Sequence, residues 1–366
     1  MIFCSKSLSN GLFHIFKHFL KQLNTVLDLT KYTKELWELI ESSDNILLIS
    51  HINPDGDAIG AQLSLCKYIT SKGKKVEMMC PNNLQEFLKW MHESDRIKIF
   101  IRNRKECIKL IETANLIILV DFNQQGRLGE SEKYVVESKA KKVIIDHHLE
   151  PQNFADLLIS DPSRCSTCEL IYELTTIMNG GSFNDPYYAE NIYVGIITDT
   201  GNFEHGSYTG RTLRIVADLL DSGIDKDKII NTVYNNFSSD RMRLLGLALN
   251  ERMTILKDFR TAYIYLTKKD LADFNHVKGD TEGFVNLPLA IRGIVFSVLF
   301  IEKDNFVKLS FRSKGKFPVN EFASRYFYGG GHLNASGGEY YDTLDNTLAY
   351  FIKVLKENDL LPGEKQ

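Results

Sequence analysis

Cysteine is scarce in this chain: Cys4, Cys66, Cys80, Cys107, Cys165 and Cys168 are the only six in 366 residues. That density excludes a secreted disulfide scaffold and fits a reducing cytoplasm, the expected location. Apolar runs long enough to cross a bilayer are missing, so no transmembrane helix is expected. An excess of positive charge is missing too. The formal net charge of -3 argues against charge-driven binding of long nucleic acid, while a local basic groove is still allowed. Residues 1–23 contain no acid and carry Lys6, Lys17 and Lys21, with Leu12, Phe13, Phe16, Phe19, Leu20 and Leu23 at helical spacing. The lysines interrupt any signal-peptide core and no small-residue cleavage site follows. The segment reads as an appended amphipathic helix within an extension over residues 1–27.

What is present is the composition of a soluble globular protein, 43% hydrophobic and 25% charged, long enough for two cores. Helical and strand-like stretches alternate from Leu27. Helix is expected over Lys31–Glu41, Ala58–Ser71, Asn83–Trp90, after Ser166, and from about Ala189 to Ile197; strand is expected over Asn45–Ser50, Lys75–Cys80, Leu116–Val120 and Lys142–Ile145. Strands separated by helices of this length imply a parallel sheet with helices on both faces. The pattern changes near residue 240. A helix over Asp240–Met253 leads into strands at Thr261–Leu266, Gly293–Glu302 and Phe306–Arg312, which predict a smaller mixed α/β domain. The expected boundaries are 28–235 for the first domain, 236–255 for a linker helix and 256–362 for the second. The active site is expected in the cleft between the domains.

The chemistry is carried by residues that close buried apolar segments. Ile46–Ile49 runs into Ser50-His51-Ile52-Asn53-Pro54-Asp55-Gly56-Asp57, just ahead of a helix. Taken alone this is also an ordinary turn, with a carboxylate near a helix N-terminus where it is favoured anyway. The pattern recurs, however. Leu116–Val120 ends in Asp121, Val143–Ile145 in Asp146-His147-His148, and Tyr193–Ile197 in Thr198-Asp199-Thr200-Gly201. In a parallel sheet these groups converge on one edge, where buried carboxylates need cations. If His51, Asp55, Asp57, Asp121, His147 and Asp199 are ligands, four carboxylates balance two divalent ions and one carboxylate bridges them, for which Asp121 is the natural choice. Mixed carboxylate and imidazole ligation favours Mn²⁺, with Mg²⁺ or Co²⁺ as substitutes. Of the adjacent His147 and His148, one ligates and the other meets substrate, because successive side chains diverge in extended chain. Two cations that activate a bridging water suit hydrolysis of a phosphoester. Tyr328-Gly329-Gly330-Gly331-His332 is a glycine-rich loop whose bare backbone can approach a phosphate, and Phe311-Arg312-Ser313 adds a guanidinium. Cys165-x-x-Cys168 overlaps Ser166-x-x-Glu169, a capping box, and is read as a helix start rather than a redox pair.

With these motifs in view the chain resembles the DHH phosphoesterase family over roughly residues 28–360. The motifs stand as His51-x-x-Pro54-Asp55-x-Asp57, Asp121, Asp146-His147-His148 and Thr198-Asp199-Thr200-Gly201, and the DHH-associated C-terminal domain shows as Phe311-Arg312-Ser313 with Gly329-Gly330-Gly331-His332. Its size and plan are similar to the branch of bifunctional oligoribonucleases and adenosine 3′,5′-bisphosphate phosphatases, the nanoRNases. The resemblance implies one Mn²⁺ on His51, Asp55 and Asp121, and another on Asp57, Asp121, His147 and Asp199. It implies that Asp146 orients a ligand histidine, that His148 contacts the scissile phosphate, and that Arg312, Gly330, Gly331 and His332 grip the substrate. Glu204-His205 and Ala61 depart from common family residues without touching a ligand position. The expected substrates are RNA oligonucleotides of two to five units and adenosine 3′,5′-bisphosphate, with no long duplex and with a homodimer allowed. The alternatives are a cyclic or linear dinucleotide phosphodiesterase and, after these, a non-catalytic nucleotide-binding protein.

Overall fold

The computed structural model describes residues 29–358 apart from residues 150, 153 and 205–207, with backbone only at His332 and Asn358. The helix expected over residues 1–23 lies outside them, as does His205. Among the described residues no helix is long and apolar enough to cross a membrane. Contacts divide the chain into two units between Asn235 and Asn236.

The first unit runs α1 (Leu29–Glu41), β1 (Ile46–Ile49), α2 (Gly56–Ser71), β2 (Val76–Cys80), β3 (Lys98–Ile99), α3 (Arg104–Thr113), β4 (Leu116–Val120), α4 (Glu132–Glu137), β5 (Lys141–Asp146) and β6 (Leu157–Ser160). It closes with α5 (Thr167–Asn179), α6 (Pro186–Asp199), α7 (Gly210–Asp221) and α8 (Lys226–Tyr234). The six strands form one parallel sheet in the order β3-β2-β1-β4-β5-β6. β1 and β4 are apolar and buried at every position, as strands covered on both faces must be. Alternate side chains enter separate cores. Leu48, Ile118 and Val120 pack with α1, α2, α5 and α6; Leu47, Ile117 and Leu119 pack with Cys107 and Ile111 of α3 and Val135 of α4. The parallel sheet with helices on both faces is therefore as expected. This strand order reverses direction between β1 and β4, and ligands of such sheets bind beyond the carboxyl ends at that switch point.

One expectation for this unit needs correction, and one expected helix is extended. The helix expected over Asn83–Trp90 is a single 3₁₀ turn, Glu86–Leu88; Pro81, Asn82 and Asn83 favour a turn, and the remaining residues are too few to propagate a helix. The helix expected from about Ala189 to Ile197 is present and longer. Residues Pro186–Asp199 form one helix, α6, capped by Asp185, whose side chain accepts from Tyr188 N at 3.0 Å. α6 crosses α2 closely. A Cβ on Gly60 would lie 2.5 Å from the Asn191 carbonyl oxygen, so glycine is required for the approach that carries Asp199 toward Asp57.

The second unit comprises α9 (Ser239–Asn250), β7 (Met253–Leu256), β8 (Thr261–Leu266), α10 (Lys268–Asp273), β9 (Phe296–Glu302), β10 (Val307–Ser313), α11 (Val319–Tyr326), β11 (Gly330–His332), β12 (Ala335–Tyr340) and α12 (Leu344–Asn358). Its sheet has the order β11-β12-β10-β9-β8-β7, antiparallel except for β8 with β9. One face buries Phe296, Phe300, Phe311, Phe322, Phe327 and Phe351. On the other, Leu244, Ala248, Phe284 and Val285 meet Ile264, Leu266, Leu299 and Ile301 of β8 and β9. The glycine-rich segment expected as a loop is the first strand of a β-hairpin, with Gly330 opposite Gly337 and Gly331 opposite Ser336. Glycine has little strand propensity of its own. Here close backbone packing demands it: a Cβ on Gly329 would lie 2.1 Å from the Gly337 carbonyl oxygen.

Candidate active site

The turn after β1 holds His51 buried at 3% exposure and places Asp55 as the N-cap of α2, its Oδ1 accepting from Ala58 N at 3.0 Å. The capping role and the clustering role of this carboxylate coexist. His51 Nε2 lies 4.0 Å from Asp55 Oδ1 and 3.2 Å from Asp121 Oδ2. Asp121 follows β4 at the switch point with φ 59°, a left-handed conformation that aspartate tolerates better than most residues and that marks functional turns. Its other oxygen, Oδ1, faces a second group. His147 Nε2 is 3.8 Å from it, 3.8 Å from Asp57 Oδ2 and 3.0 Å from Asp199 Oδ2. His148 Nδ1 is 3.4 Å from the same Asp121 oxygen.

The donor atoms of His51, Asp55 and Asp121, of Asp57, His147 and Asp199, and of Asp121, His147 and His148 form three sets, each within 4.8 Å. All six residues expected as ligands are thus brought together, with Asp121 between the two groups. Among the described residues the only ion-pair partners of Asp55, Asp57, Asp121 and Asp199 are His51, His147 and His148. Four carboxylates without lysine or arginine, two of them at 0% and 1% exposure, fit a pair of divalent cations on chemical grounds.

The electrostatics reflect that crowding. Burial and repulsion from Asp121 and Asp199 push the Asp57 carboxyl well above the usual range and raise Asp55 as well. Burial would raise Asp121 too, but the bond from His51 and the fields of His148 and His147 outweigh it and hold Asp121 low. Burial disfavours charge on His147, yet the bond to Asp199 and the fields of Asp57 and Asp121 raise it to about 11.

Asp146 corrects an expectation. Its Oδ1 pairs with Nδ1 of His148 at 2.8 Å, and its Oδ2 accepts from the His148 backbone N–H at 3.2 Å. It therefore orients the histidine expected at the phosphate and not His147, whose Nδ1 instead faces the Arg164 carbonyl oxygen at 3.3 Å. Arg164 is itself fixed by Asp161 at 2.5 Å and Glu173 at 2.7 Å.

Sequence reasoning missed the residues that hold the carboxylates. Thr167 N–H and Cys168 N–H, in the first turn of α5, donate to Asp57 Oδ2 and Oδ1 at 2.6 and 2.9 Å, and the Thr167 hydroxyl donates to Asp121 Oδ1 at 2.9 Å. The available signal was the capping box, and Ser166 Oγ does accept from Glu169 N at 3.0 Å. It marked the helix start without showing what faces it. Cys165 and Cys168 are buried, free and pushed up by that burial, so both are thiols rather than reactive thiolates.

In the second unit Arg312, Gly330 and Gly331 line one concavity of about 610 Å³. Arg312 makes no ion pair among the described residues; its Nη1 donates to its neighbour's carbonyl oxygen at 3.0 Å, and burial lowers its pKa. Glu282, which lines the same concavity, partly offsets that lowering. The His332 side chain lies outside the described residues.

Comparison with known proteins agrees with this geometry. The DHH family, N-terminal domain, matches residues 45–196, and the DHHA1 domain matches residues 261–358. The chain is 30% identical over 329 residues to the bifunctional oligoribonuclease and PAP phosphatase NrnA of Bacillus subtilis, covering 89% of this chain and 99% of that protein. A crystal structure of an exopolyphosphatase-related protein from Bacteroides fragilis superposes with a TM-score of 0.86 at 41% identity, covering 89% of this chain and 96% of that one. The cyclic-di-AMP phosphodiesterase GdpP of Geobacillus thermodenitrificans is 25% identical over 84% of this chain, which spans 46% of that protein. Fold and site define a hydrolase of phosphate esters. The chain belongs to the DHH family and carries its DHHA1 domain.

Proposed function

We propose that this enzyme uses two divalent cations, Mn²⁺ by preference, to hydrolyse RNA oligonucleotides of two to five units to mononucleotides and adenosine 3′,5′-bisphosphate to AMP. The observation that carries the reading is Asp121, whose two oxygens face two separate groups of donors, as a bridging carboxylate must. His51, Asp55 and Asp121 hold one ion; Asp57, Asp121, His147 and Asp199 hold the other. Ions bound there supply the positive charge that activates a water and offsets charge on the reacting phosphate. Asp146 holds Nδ1 of His148 and so fixes the orientation of the ring that is assigned to the reacting phosphate. Thr167 and Cys168 fix Asp57 and Asp121 in place. In the second unit Arg312, Gly330, Gly331 and His332 are assigned to substrate binding. The likeness to the B. subtilis NrnA along almost its whole length supports these substrates.

The test is hydrolysis with Mn²⁺ of a labelled RNA trimer, a long RNA, adenosine 3′,5′-bisphosphate and a cyclic dinucleotide, with Asp121→Ala alongside. Trimer and bisphosphate are expected to be cut and the variant to be inactive. The likeness to GdpP favours a second reading, a dinucleotide phosphodiesterase. Cleavage of the cyclic dinucleotide alone would establish that reading in place of the first.

A further inference from the structure

Tyr328 is conformationally expensive and, among the described residues, receives little in return. It has φ 44°, a left-handed backbone that bulky residues rarely adopt. The neighbours impose it. Gly329 N donates to the Ala323 carbonyl oxygen at 3.2 Å and Glu339 N to that of Phe327 at 2.8 Å, so the chain on either side of Tyr328 is fixed. Glycine would accept this backbone without strain. Yet the residue is tyrosine, 76% exposed, with one ring contact, an edge-on approach to Tyr341 at 6.0 Å. Core packing does not account for it. Strain of this kind, with no burial to offset it, points outward to a ligand.

The surroundings say which ligand. On the face of the second sheet opposite the phenylalanine core, β10 presents Lys308, Ser310 and Arg312 in line, since Val307, Leu309, Phe311 and Ser313 are buried. Across the register, Arg312 stands opposite Ala335, Ser310 opposite Gly337 and Lys308 opposite Glu339; Gly337 in turn pairs with Gly330. Tyr328, two residues before Gly330, therefore comes to the Lys308 and Glu339 end, and all of these residues line the same concavity. The result is a trough floored by bare glycine backbone, with Arg312 at one end in the field of Glu282, and with Lys308, Glu339 and an aromatic ring at the other. Four residue steps separate the two ends, about 14 Å along the strand. That is longer than one phosphate needs.

The geometry points to a second-nucleotide subsite: a base stacks on Tyr328 and a phosphate meets Lys308, when a single-stranded oligonucleotide has its first phosphate at Arg312. This rests on the substrate binding proposed above. It extends that reading by separating the two substrate types, because a mononucleotide bisphosphate does not reach Tyr328. Stacking on an aromatic tolerates any base, so the subsite selects length and not sequence.

The experiment uses the full chain with Tyr328→Gly, Tyr328→Phe and Lys308→Gln. Glycine suits the local backbone, so a melting curve should show Tyr328→Gly folded. Binding of a fluorescent RNA trimer is measured in EDTA, where nothing is cut. Tyr328→Gly is expected to weaken it about tenfold, Lys308→Gln less and Tyr328→Phe not at all. In Mn²⁺, KM for the trimer should rise in Tyr328→Gly while KM for adenosine 3′,5′-bisphosphate stays within twofold. Equal trimer binding by the wild type and Tyr328→Gly overturns the subsite, as does an equal loss with the bisphosphate. If the wild type cuts neither substrate the proposed function falls, and the EDTA titration still decides the subsite.

Discussion

Oδ1 of Asp146 lies 2.8 Å from Nδ1 of His148, while its other oxygen accepts the His148 backbone N–H at 3.2 Å. One carboxylate thus fixes both the position and the ring orientation of its neighbour two residues on. An asparagine has a single carbonyl oxygen and can serve only one of those two donors. Asp146→Asn should therefore lower kcat by about 100-fold, in the range of a displaced general acid or positioning group, and leave Mn²⁺ affinity within a few-fold. Titration calorimetry beside steady-state kinetics separates the two effects. A kcat within threefold of wild type would show that His148 needs no such partner.

The path to this pair shows what was legible. β1 and β4 were readable because parallel strands buried on both faces are apolar throughout, and β5 through its apolar stretch Val143–Ile145; each leads to a polar residue whose chemistry stands out: His51, Asp121, Asp146. Thr167 was not readable. Its hydroxyl reaches Asp121 across 46 residues of sequence, and a threonine at a helix start has an ordinary local explanation in capping. Asp199 closes the helix expected to run to Ile197, and the buried apolar run before it is what placed it at this edge. The hairpin at Gly330 was hidden because its stability comes from pairing with β12 and not from the residues themselves.

Asp55 offers a separation of folding from metal binding. It caps α2, a role asparagine fills equally well, and burial with repulsion from Asp121 and Asp199 makes its charge unfavourable in the metal-free protein. Asp55→Asn should then melt at or slightly above the wild-type temperature in EDTA. Saturating Mn²⁺ should stabilise the wild type by about 2.7 kcal/mol at a hundred times Kd and the variant much less. A variant that melts several degrees lower in EDTA would mean that the carboxylate is structural.

Gly195 measures how tightly the site is built into the core. A Cβ there would lie 2.2 Å from Cys168 Sγ and 2.7 Å from Asp57 Oδ1, so something must move. Gly195→Ala should cost about 1–3 kcal/mol, the usual penalty of overpacking, and should weaken Mn²⁺ binding because Asp57 is one of the displaced groups. Adding Cys168→Ala frees the sulfur's space and should recover part of the stability. If the double variant is no more stable than Gly195→Ala alone, the clash is not with the sulfur.

In the second unit Asp270 closes the capping box of α10, with its Oδ2 accepting from Thr267 N at 3.0 Å, and receives Arg252 Nε and Nη2 at 3.0 and 2.9 Å. Burial pushes its carboxyl upward, but the bonds from Arg252 and Thr267 outweigh that and hold it below the usual value. A folded-state pKa below the unfolded one contributes stability that is fully present above the unfolded value, about 3.9, and is lost as pH falls through the folded value. Asp270→Asn should therefore cost about 1–3 kcal/mol at pH 7, with no change in that difference down to about pH 5 and a shrinking difference below about pH 4. Denaturant midpoints of both proteins across that range provide the check. A difference that is constant to pH 3 would mean that the Asp270 charge adds nothing to the fold beyond its hydrogen bonds.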